Sequence, residues 1–352
     1  MTFNSYRIFR HMTRLFYATG DTQLARRTLR LYIQVVNKAY EAKRADLVLD
    51  ADSDRHWVET LTHGARMLCR IAGPTGVEEA REAGKLIEKA KKRLREGDED
   101  LIATVHLAEG VWSATTAMVE HDARMRASRM AHALAEFAAS VKSCPTPSGY
   151  YHLAIALARP GPQQNLEEAV TSASSAVESA SHDIRYWHLL GLLLTAQGKW
   201  KEAKGVLEIG AAIGDDGEDD NDSSEETVRE GGVQVRHSDS INGTVPNGHI
   251  HPPEVNDSHK SPIYLLEKGS TTIPLSASLL QPLPDHPSPS RQDIFEHALQ
   301  LRMTQLAVSE SVDGAEGAGL KWVEVFGWVA RRNDHMADHR ESIDDMLVWN
   351  TS

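Results

Sequence analysis

A short stretch between residues 187 and 207 restricts the possible folds of this chain more than any other part of the sequence. Trp187, Leu190 and Leu194 recur at intervals of three and four residues, which places them on one side of a helix. Gly191 lies inside this run and carries no Cβ, so a second helix can approach it closely. The stretch therefore predicts a helix that packs tightly against a neighbour.

The residues that follow predict this neighbour. Gly198 lies where a turn needs an unrestricted backbone, and Ala203 and Leu207 face back from a second helix. The whole pattern matches the tetratricopeptide signature W-x2-L-G-x2-Y…A-x3-F, with Leu194 in place of Tyr and Leu207 in place of Phe. One helix pair cannot bury its apolar face alone, so we expect an all-α fold, a tetratricopeptide-type helical-repeat solenoid.

Similar spacings occur earlier in the chain. Tyr150, Leu153 and Leu157 begin a repeat with a stretched turn, and Phe9 and Phe16 begin another near the N-terminus. We expect roughly five helix pairs over residues 1–213, with the pattern clearest at 149–213.

A long insertion is expected to interrupt the solenoid at residues 214–290. Between 215 and 230 nine acidic residues and one arginine carry −8 of the formal net charge of −12, and the rest is rich in Ser, Asn, Gly, His and Pro. Such a composition buries too little apolar area to offset chain entropy, which predicts disorder. Helical spacing returns at 291–333, where we expect another helix pair ending in a short helix over 320–332, followed by a tail at 334–352.

The composition indicates the protein's surroundings. Cys69 and Cys144 are far apart and form no CxxC pair, as expected of reduced thiols inside a cell. No apolar run is long enough to cross a bilayer, and the charge totals show no broad basic face for nucleic acid. Arg7, Arg10 and Arg14 faintly resemble a mitochondrial presequence, but the repeat pattern already begins there.

The sequence predicts no catalytic, cofactor or metal site, and therefore no enzyme. Asp50-Ala51-Asp52-Ser53-Asp54 opens like a calcium loop but continues with Arg55 and Leu61 where Gly and Glu are needed, so a helix-capping loop is favoured. The segment 314–319 is too irregular for a phosphate loop. A cluster of histidines in the insertion lacks the spacing of a structural zinc site: His237, His249, His251 and His259.

The expected interaction surface is the concave face of the solenoid, lined by the first helix of each pair. Five candidate partner-binding residues follow from the outward positions of the last two repeats: Tyr151, Ile155, Arg185, His188 and Thr195. Repeats that clamp acidic chaperone tails need Lys and Asn at set points, whereas this chain has Tyr151, His188 and Leu192 there. The pattern disfavours such a clamp.

Several of these blocks also carry a family resemblance. They are Phe16-Tyr17-Ala18-Thr19-Gly20-Asp21-Thr22, Leu29-Arg30-Leu31-Tyr32, Tyr150-Tyr151-His152-Leu153-Ala154, the Trp187 repeat, Leu299-Gln300-Leu301-Arg302-Met303-Thr304-Gln305-Leu306 and Glu324-Val325-Phe326-Gly327. In them the chain resembles the fungal branch of the tetratricopeptide scaffold in the plasma-membrane phosphatidylinositol 4-kinase complex, the cargo-transport protein family. All of these motifs are packing motifs.

The resemblance implies a non-enzymatic adaptor that is cytoplasmic and peripheral at the plasma membrane. Its implied partners are a phosphatidylinositol 4-kinase and a lipid-anchored membrane subunit, and its implied roles are phosphoinositide synthesis, endocytosis and traffic. Family members have further helices on both sides, so the resemblance also implies that this chain is an internal part or a truncated gene model. A generic repeat adaptor in another assembly and a mitochondrial import partner are the alternatives. Ser261-Pro262 and Ser288-Pro289 add a hypothesis of phosphorylation in the insertion.

Overall fold

The computed structural model describes residues 5–44, 52–73, 75–219 and 291–349, with side chains for 5–42, 52–73, 75–214 and 293–332. Within these ranges all regular secondary structure is α-helical, which confirms the all-α prediction. The helices are α1 (Tyr6–Ala18), α2 (Thr22–Arg44), α3 (Asp54–Ala72), α4 (Val77–Lys91), α5 (Glu99–Val119), α6 (Ala123–Ser143), α7 (Pro147–Ala158), α8 (Leu166–Ser179), α9 (Ile184–Ala196), α10 (Trp200–Asp219) and α11 (Arg291–Trp349).

The helices pack in consecutive pairs: α1 with α2, α3 with α4, α5 with α6, α7 with α8 and α9 with α10. Short connections make the two helices of each pair antiparallel. Neighbouring pairs then pack side by side, through α3 on α5, α6 on α7 and α8 on α9. This arrangement is the expected helical-repeat solenoid, in which each pair buries its apolar face against the next.

The signature repeat confirms the packing predicted from its residues. Ala203 and Leu207 are fully buried, and a Cβ placed on Gly191 would lie 2.5 Å from Leu207 Cδ2. Gly198 ends α9 with φ +77°, a left-handed conformation that costs other residues about 1–2 kcal/mol. The two glycines are therefore required by a close helix approach and by a tight turn.

The core runs along the stack as two apolar clusters that meet at α5. The first joins α1 to α5 and includes Tyr32, Trp57 and Leu68. The second begins at Leu107 of α5 and extends through α10 to α11, where it includes Leu301. Helix α5 is thus apolar on two sides, as a helix in the middle of a solenoid must be.

The acidic loop before α3 caps that helix. Ser53 is the N-cap, and its hydroxyl accepts a hydrogen bond of 3.2 Å from the His56 N–H. The buried carboxylate of Asp52 accepts a hydrogen bond of 2.7 Å from the Tyr32 hydroxyl. Burial, followed by the negative charge of Asp52, raises the pKa of Tyr32 above its usual range.

Helix α11 contains a break at Gly314, where φ is +77° and ψ is −174°. The segments 291–313 and 315–349 fold back on each other, because the Phe295 and Trp328 rings stack with centroids 5.5 Å apart. The second segment runs to Trp349, much further than the short helix over 320–332 expected from the sequence. It contains no Gly or Pro after Gly327 that would end it earlier.

Most of the expected insertion lies outside the described residues. Helix α10 continues to Asp219, and residues 220–290, with Ser261, Ser288 and the clustered histidines of the insertion, are beyond the part described. The predicted domain boundaries and the predicted modification of the insertion therefore stay predictions. No described helix is both long and apolar enough to cross a membrane.

Candidate protein-binding face

The first helices of the pairs share one face, which we call the inner face and define by Tyr17, Arg70, Tyr151, Arg185 and His297. These residues come from α1, α3, α7, α9 and α11. They lie close enough to influence one another electrostatically, since Arg185 and Arg70 affect both Tyr151 and His297. The solenoid thus brings five separate helices to one polar and aromatic surface.

The first turn of α11 enters this face. The Asp293 carboxylate forms an ion pair with Arg70 of α3, and the distance from Arg70 Nη2 to Asp293 Oδ2 is 2.9 Å. Each of the two side chains is at most about one third exposed. Further along α11, Thr304 Oγ1 lies 2.8 Å from His188 Nε2 of α9. The inner face between α3 and α9 is therefore partly covered by the helix that returns after residue 290.

The charge at the centre of the inner face is Arg185. Its Nε donates to Asp183 Oδ1 at 2.8 Å, and Asp183 Oδ1 also caps α9 by accepting from the Arg185 N–H at 3.0 Å. Burial lowers the pKa of Arg185, but hydrogen bonds from it to Asp183 and the charge of that carboxylate outweigh burial, so the pKa lies above its usual range. The Arg185 guanidinium therefore stays charged.

Aromatic rings form the floor beside this pair. Tyr151 packs against Tyr186 with ring centroids 5.2 Å apart and against His152 at 5.4 Å. His152 in turn stacks on Phe137 at 5.3 Å. Burial raises the pKa of Tyr151, so its hydroxyl stays neutral.

All five residues predicted from the sequence for partner binding are half-buried. Tyr151 and Arg185 belong to the inner face, and His188 contacts Thr304 of α11, with burial lowering the His188 pKa. Thr195 donates its hydroxyl to the Gly191 carbonyl at 2.9 Å, and Ile155 lies on the same helix as Tyr151. Their role in binding a partner stays a prediction.

Sequence reasoning missed Tyr17, Arg70 and His297 as members of this face, and Asp293 as the partner of Arg70. Arg70 is one of many arginines on helices with mixed charge, and nothing in its neighbourhood predicts a contact with a helix more than 200 residues later. The only available signal was the return of helical periodicity at residue 294.

A second surface is apolar and lies on the last helical segment. Leu320 is 78% exposed, Val323 72% and Phe326 64%, and the Trp322 ring stacks on Phe326 with centroids 5.3 Å apart. We call these four residues the end patch. Val325 on the opposite side of the same segment is buried, so the end patch is the outer face of an otherwise packed helix. Contiguous exposed apolar residues mark sites of protein or membrane contact.

A cluster of histidine and carboxylate side chains lies elsewhere, between α5 and α6. Its core is Glu109, His132 and Glu136. The sequence indicated nothing here, because the residues come from two helices and no motif connects them.

No protein-family model and no curated protein matches the chain. Among solved structures, it is similar to the TPR2AB-domain:pHSP90-complex of yeast Sti1, with 16% sequence identity and a TM-score of 0.24 over 60% of this chain and 79% of that chain.

Proposed function

We propose that this protein is a non-enzymatic scaffold that assembles a phosphatidylinositol 4-kinase complex and holds it at the plasma membrane. It would link the kinase to a lipid-anchored subunit through protein contacts, and so support phosphoinositide synthesis, endocytosis and traffic. The general part of this proposal is a protein-interaction adaptor built on a tetratricopeptide-type solenoid. The specific part depends on the resemblance of the repeat motifs to the cargo-transport family.

The observation that carries the adaptor function is the end patch. Leu320, Val323 and Phe326 expose most of their apolar surface to water, although the segment beneath them is well packed through Trp328 and Val325. Full burial of an aliphatic or aromatic side chain of this size is favourable by about 1.5–3 kcal/mol of free energy. A protein partner on this face would provide that burial.

The inner face supplies a surface of different character. It carries fixed charges at Arg185 and Asp183 and aromatic rings at Tyr151 and Tyr186. Tyr and Arg are the residue types that contribute most to protein interfaces. We propose that Tyr151, Ile155, Arg185, His188 and Thr195 contact a partner through the parts of their half-buried side chains that stay exposed beside α11.

The test is affinity purification of the tagged full-length chain from its own host, with partners identified by mass spectrometry. Val323→Asp places a charge in the end patch without touching the core. Val77→Asp is the matched control, because it is the same substitution at a residue 49% exposed on α4. We expect the kinase or its membrane anchor with the wild type and the control, and a loss of at least about tenfold, or 1.4 kcal/mol, with Val323→Asp.

The other outcomes separate the alternatives. Recovery of a different assembly would establish a generic repeat adaptor and overturn the kinase assignment. Equal recovery by Val323→Asp would show that the end patch is not the binding surface. Localisation gives an independent readout: organelle targeting that depends on residues 1–20 would identify the mitochondrial alternative.

A further inference from the structure

The packed pair α5 and α6 brings together three side chains that can each offer a ligand atom to a metal ion. Glu109 lies on α5, and His132 and Glu136 lie one turn apart on the facing side of α6. Their donor atoms all lie within 4.8 Å of one another. This cluster is distinct from the inner face and from the end patch.

The imidazole of His132 lies between the two carboxylates. Its Nε2 is 3.6 Å from Glu109 Oε1, and its Nδ1 is 3.8 Å from Glu136 Oε1. Both separations exceed hydrogen-bonding distance, so the His132 ring lies beside the two carboxylates without a hydrogen bond to either. A zinc ion takes one nitrogen of the imidazole ring, whereas the two carboxylates now face different ring nitrogens. Donors about 2.0–2.2 Å from a tetrahedral zinc ion are about 3.4 Å apart, so metal binding requires the His132 ring and one carboxylate to rotate until the three donors, now within 4.8 Å of one another, surround one point.

The surroundings support the ligands in the way that metal sites require. His106 of α5 shares a hydrogen bond of 2.7 Å with Glu136 Oε2, and Lys91 of α4 pairs with Glu109 Oε2. Each glutamate thus uses its Oε2 for the outer partner and keeps its Oε1 facing His132. Outer partners of this kind orient metal-binding carboxylates.

The charge balance and the access also favour a cation. Among the described ion pairs, the two carboxylates share a single ammonium group, that of Lys91 on Glu109, and the other partners of the cluster are imidazole rings. His132 is 48% exposed, so an ion can reach the cluster from solvent. A mixed set of one imidazole nitrogen and two carboxylate oxygens suits Zn²⁺ and related divalent transition metals.

We propose that Glu109, His132 and Glu136 form a binding site for a divalent transition-metal ion, with Zn²⁺ as the preferred occupant. Water completes the coordination, and His106 and Lys91 hold the two carboxylates in place. The ion would cross-link α5 to α6 near the middle of the solenoid. This site goes beyond the scaffold function and does not depend on the identity of the partner.

The test is a calorimetric titration of the full-length protein with Zn²⁺ alone. The chain has 17 histidines, so the informative quantity is the difference between variants. We expect His132→Gln to lose one equivalent of bound zinc and Glu109→Gln to weaken that equivalent at least tenfold, as carboxylate ligands and their supports typically do. Zinc should also raise the melting temperature of the wild type more than that of His132→Gln.

His56→Gln is the matched control. The His56 side chain is also 48% exposed and also faces a carboxylate four residues away, Asp52. Asp52 is shared with Arg10, and among the described residues no second carboxylate forms an ion pair with the His56 ring. We expect this variant to bind as much zinc as the wild type. Far-UV circular dichroism establishes that all three variants are folded.

An unchanged stoichiometry and affinity in His132→Gln would overturn the proposal. A loss of the same size in His56→Gln would do so as well, because it would show that exposed histidines bind zinc without a built site. In either case the cluster is an ion-pair network only.

Discussion

His188 of α9 and Thr304 of α11 are joined by a 2.8 Å hydrogen bond between Nε2 and Oγ1, although 116 residues separate them in the chain. This bond ties the signature repeat to the helix that returns after the insertion. Together with the ion pair of Arg70 and Asp293, it shows that α11 is packed on the solenoid as its continuation.

A double-mutant cycle of His188→Ala and Thr304→Ala measures this connection. We expect a coupling energy of about 0.5–1.5 kcal/mol, the usual net value of one protein hydrogen bond. Chemical denaturation of the two single variants and the double variant supplies the number. Strictly additive effects would show that the two side chains do not stabilise each other.

The close approach at Gly191 gives a prediction with a sharp control. Gly191→Ala would place a Cβ 2.5 Å from Leu207 Cδ2 and 2.6 Å from Leu207 Cγ, and Leu207 is fully buried. We expect a loss of about 1–3 kcal/mol in the free energy of unfolding, the typical cost of overpacking. In Gly205→Ala of α10 the added Cβ meets nothing within 4 Å, so that variant should gain up to about 1 kcal/mol from helix propensity. Equal effects of the two substitutions would contradict the packing described here.

Acid should destabilise the inner face through His297. Burial, followed by the charges of Arg185 and Arg70, lowers the pKa of His297 to about 4, while Asp293 and Asp183 act in the opposite direction. The unfolded chain, with an ordinary histidine pKa of about 6.5, takes up the proton first as the pH falls. Above pH 6.5 His297 therefore takes nothing from the free energy of unfolding, and between about pH 6.5 and 4 that free energy falls progressively.

Melting temperatures measured from pH 7 to pH 4.5 check this sign. We expect His297→Gln to be less sensitive to acid over this window than the wild type. His121→Gln, at an exposed histidine between α5 and α6, should follow the wild-type curve. If His297→Gln lost stability as steeply as the wild type, His297 would not be the titrating group.

The two cysteines should differ in reactivity. Burial raises the pKa of Cys69 to about 12, against a smaller opposite effect of a hydrogen bond with Thr115, whereas Cys144 is only half-buried. The thiolate is the reactive form, so at pH 8 a disulfide reagent should modify Cys144 and leave Cys69 intact. Mass spectrometry of the labelled peptides identifies the site, and Cys144→Ser should show no labelling until the protein is unfolded. Rapid labelling of Cys69 in the native protein would mean that α3 opens readily.

Much of the helical core could be predicted from local patterns. The spacing of Trp187, Leu190 and Leu194 indicated a packed helix, and Gly191 and Gly198 indicated the close approach and the turn, because each effect depends on residues within one helix pair. The end of α11 was wrongly expected near residue 332, whereas the helix runs to Trp349 and has no helix-breaking Gly or Pro after Gly327. The end patch was not predicted, because periodicity shows that a helix has an apolar side but not whether a neighbour covers it.

The sequence by itself determined the unit of this protein: antiparallel helix pairs with apolar faces that must stack. A helical period places side chains on a face, and glycine positions set how closely two helices approach, so both can be inferred from neighbouring residues. Only the tertiary structure decided which faces meet. It placed Asp293 on Arg70, Thr304 on His188 and His132 between Glu109 and Glu136. Such contacts join residues from separate helices, and no local propensity specifies the partner of a side chain that lies many turns away.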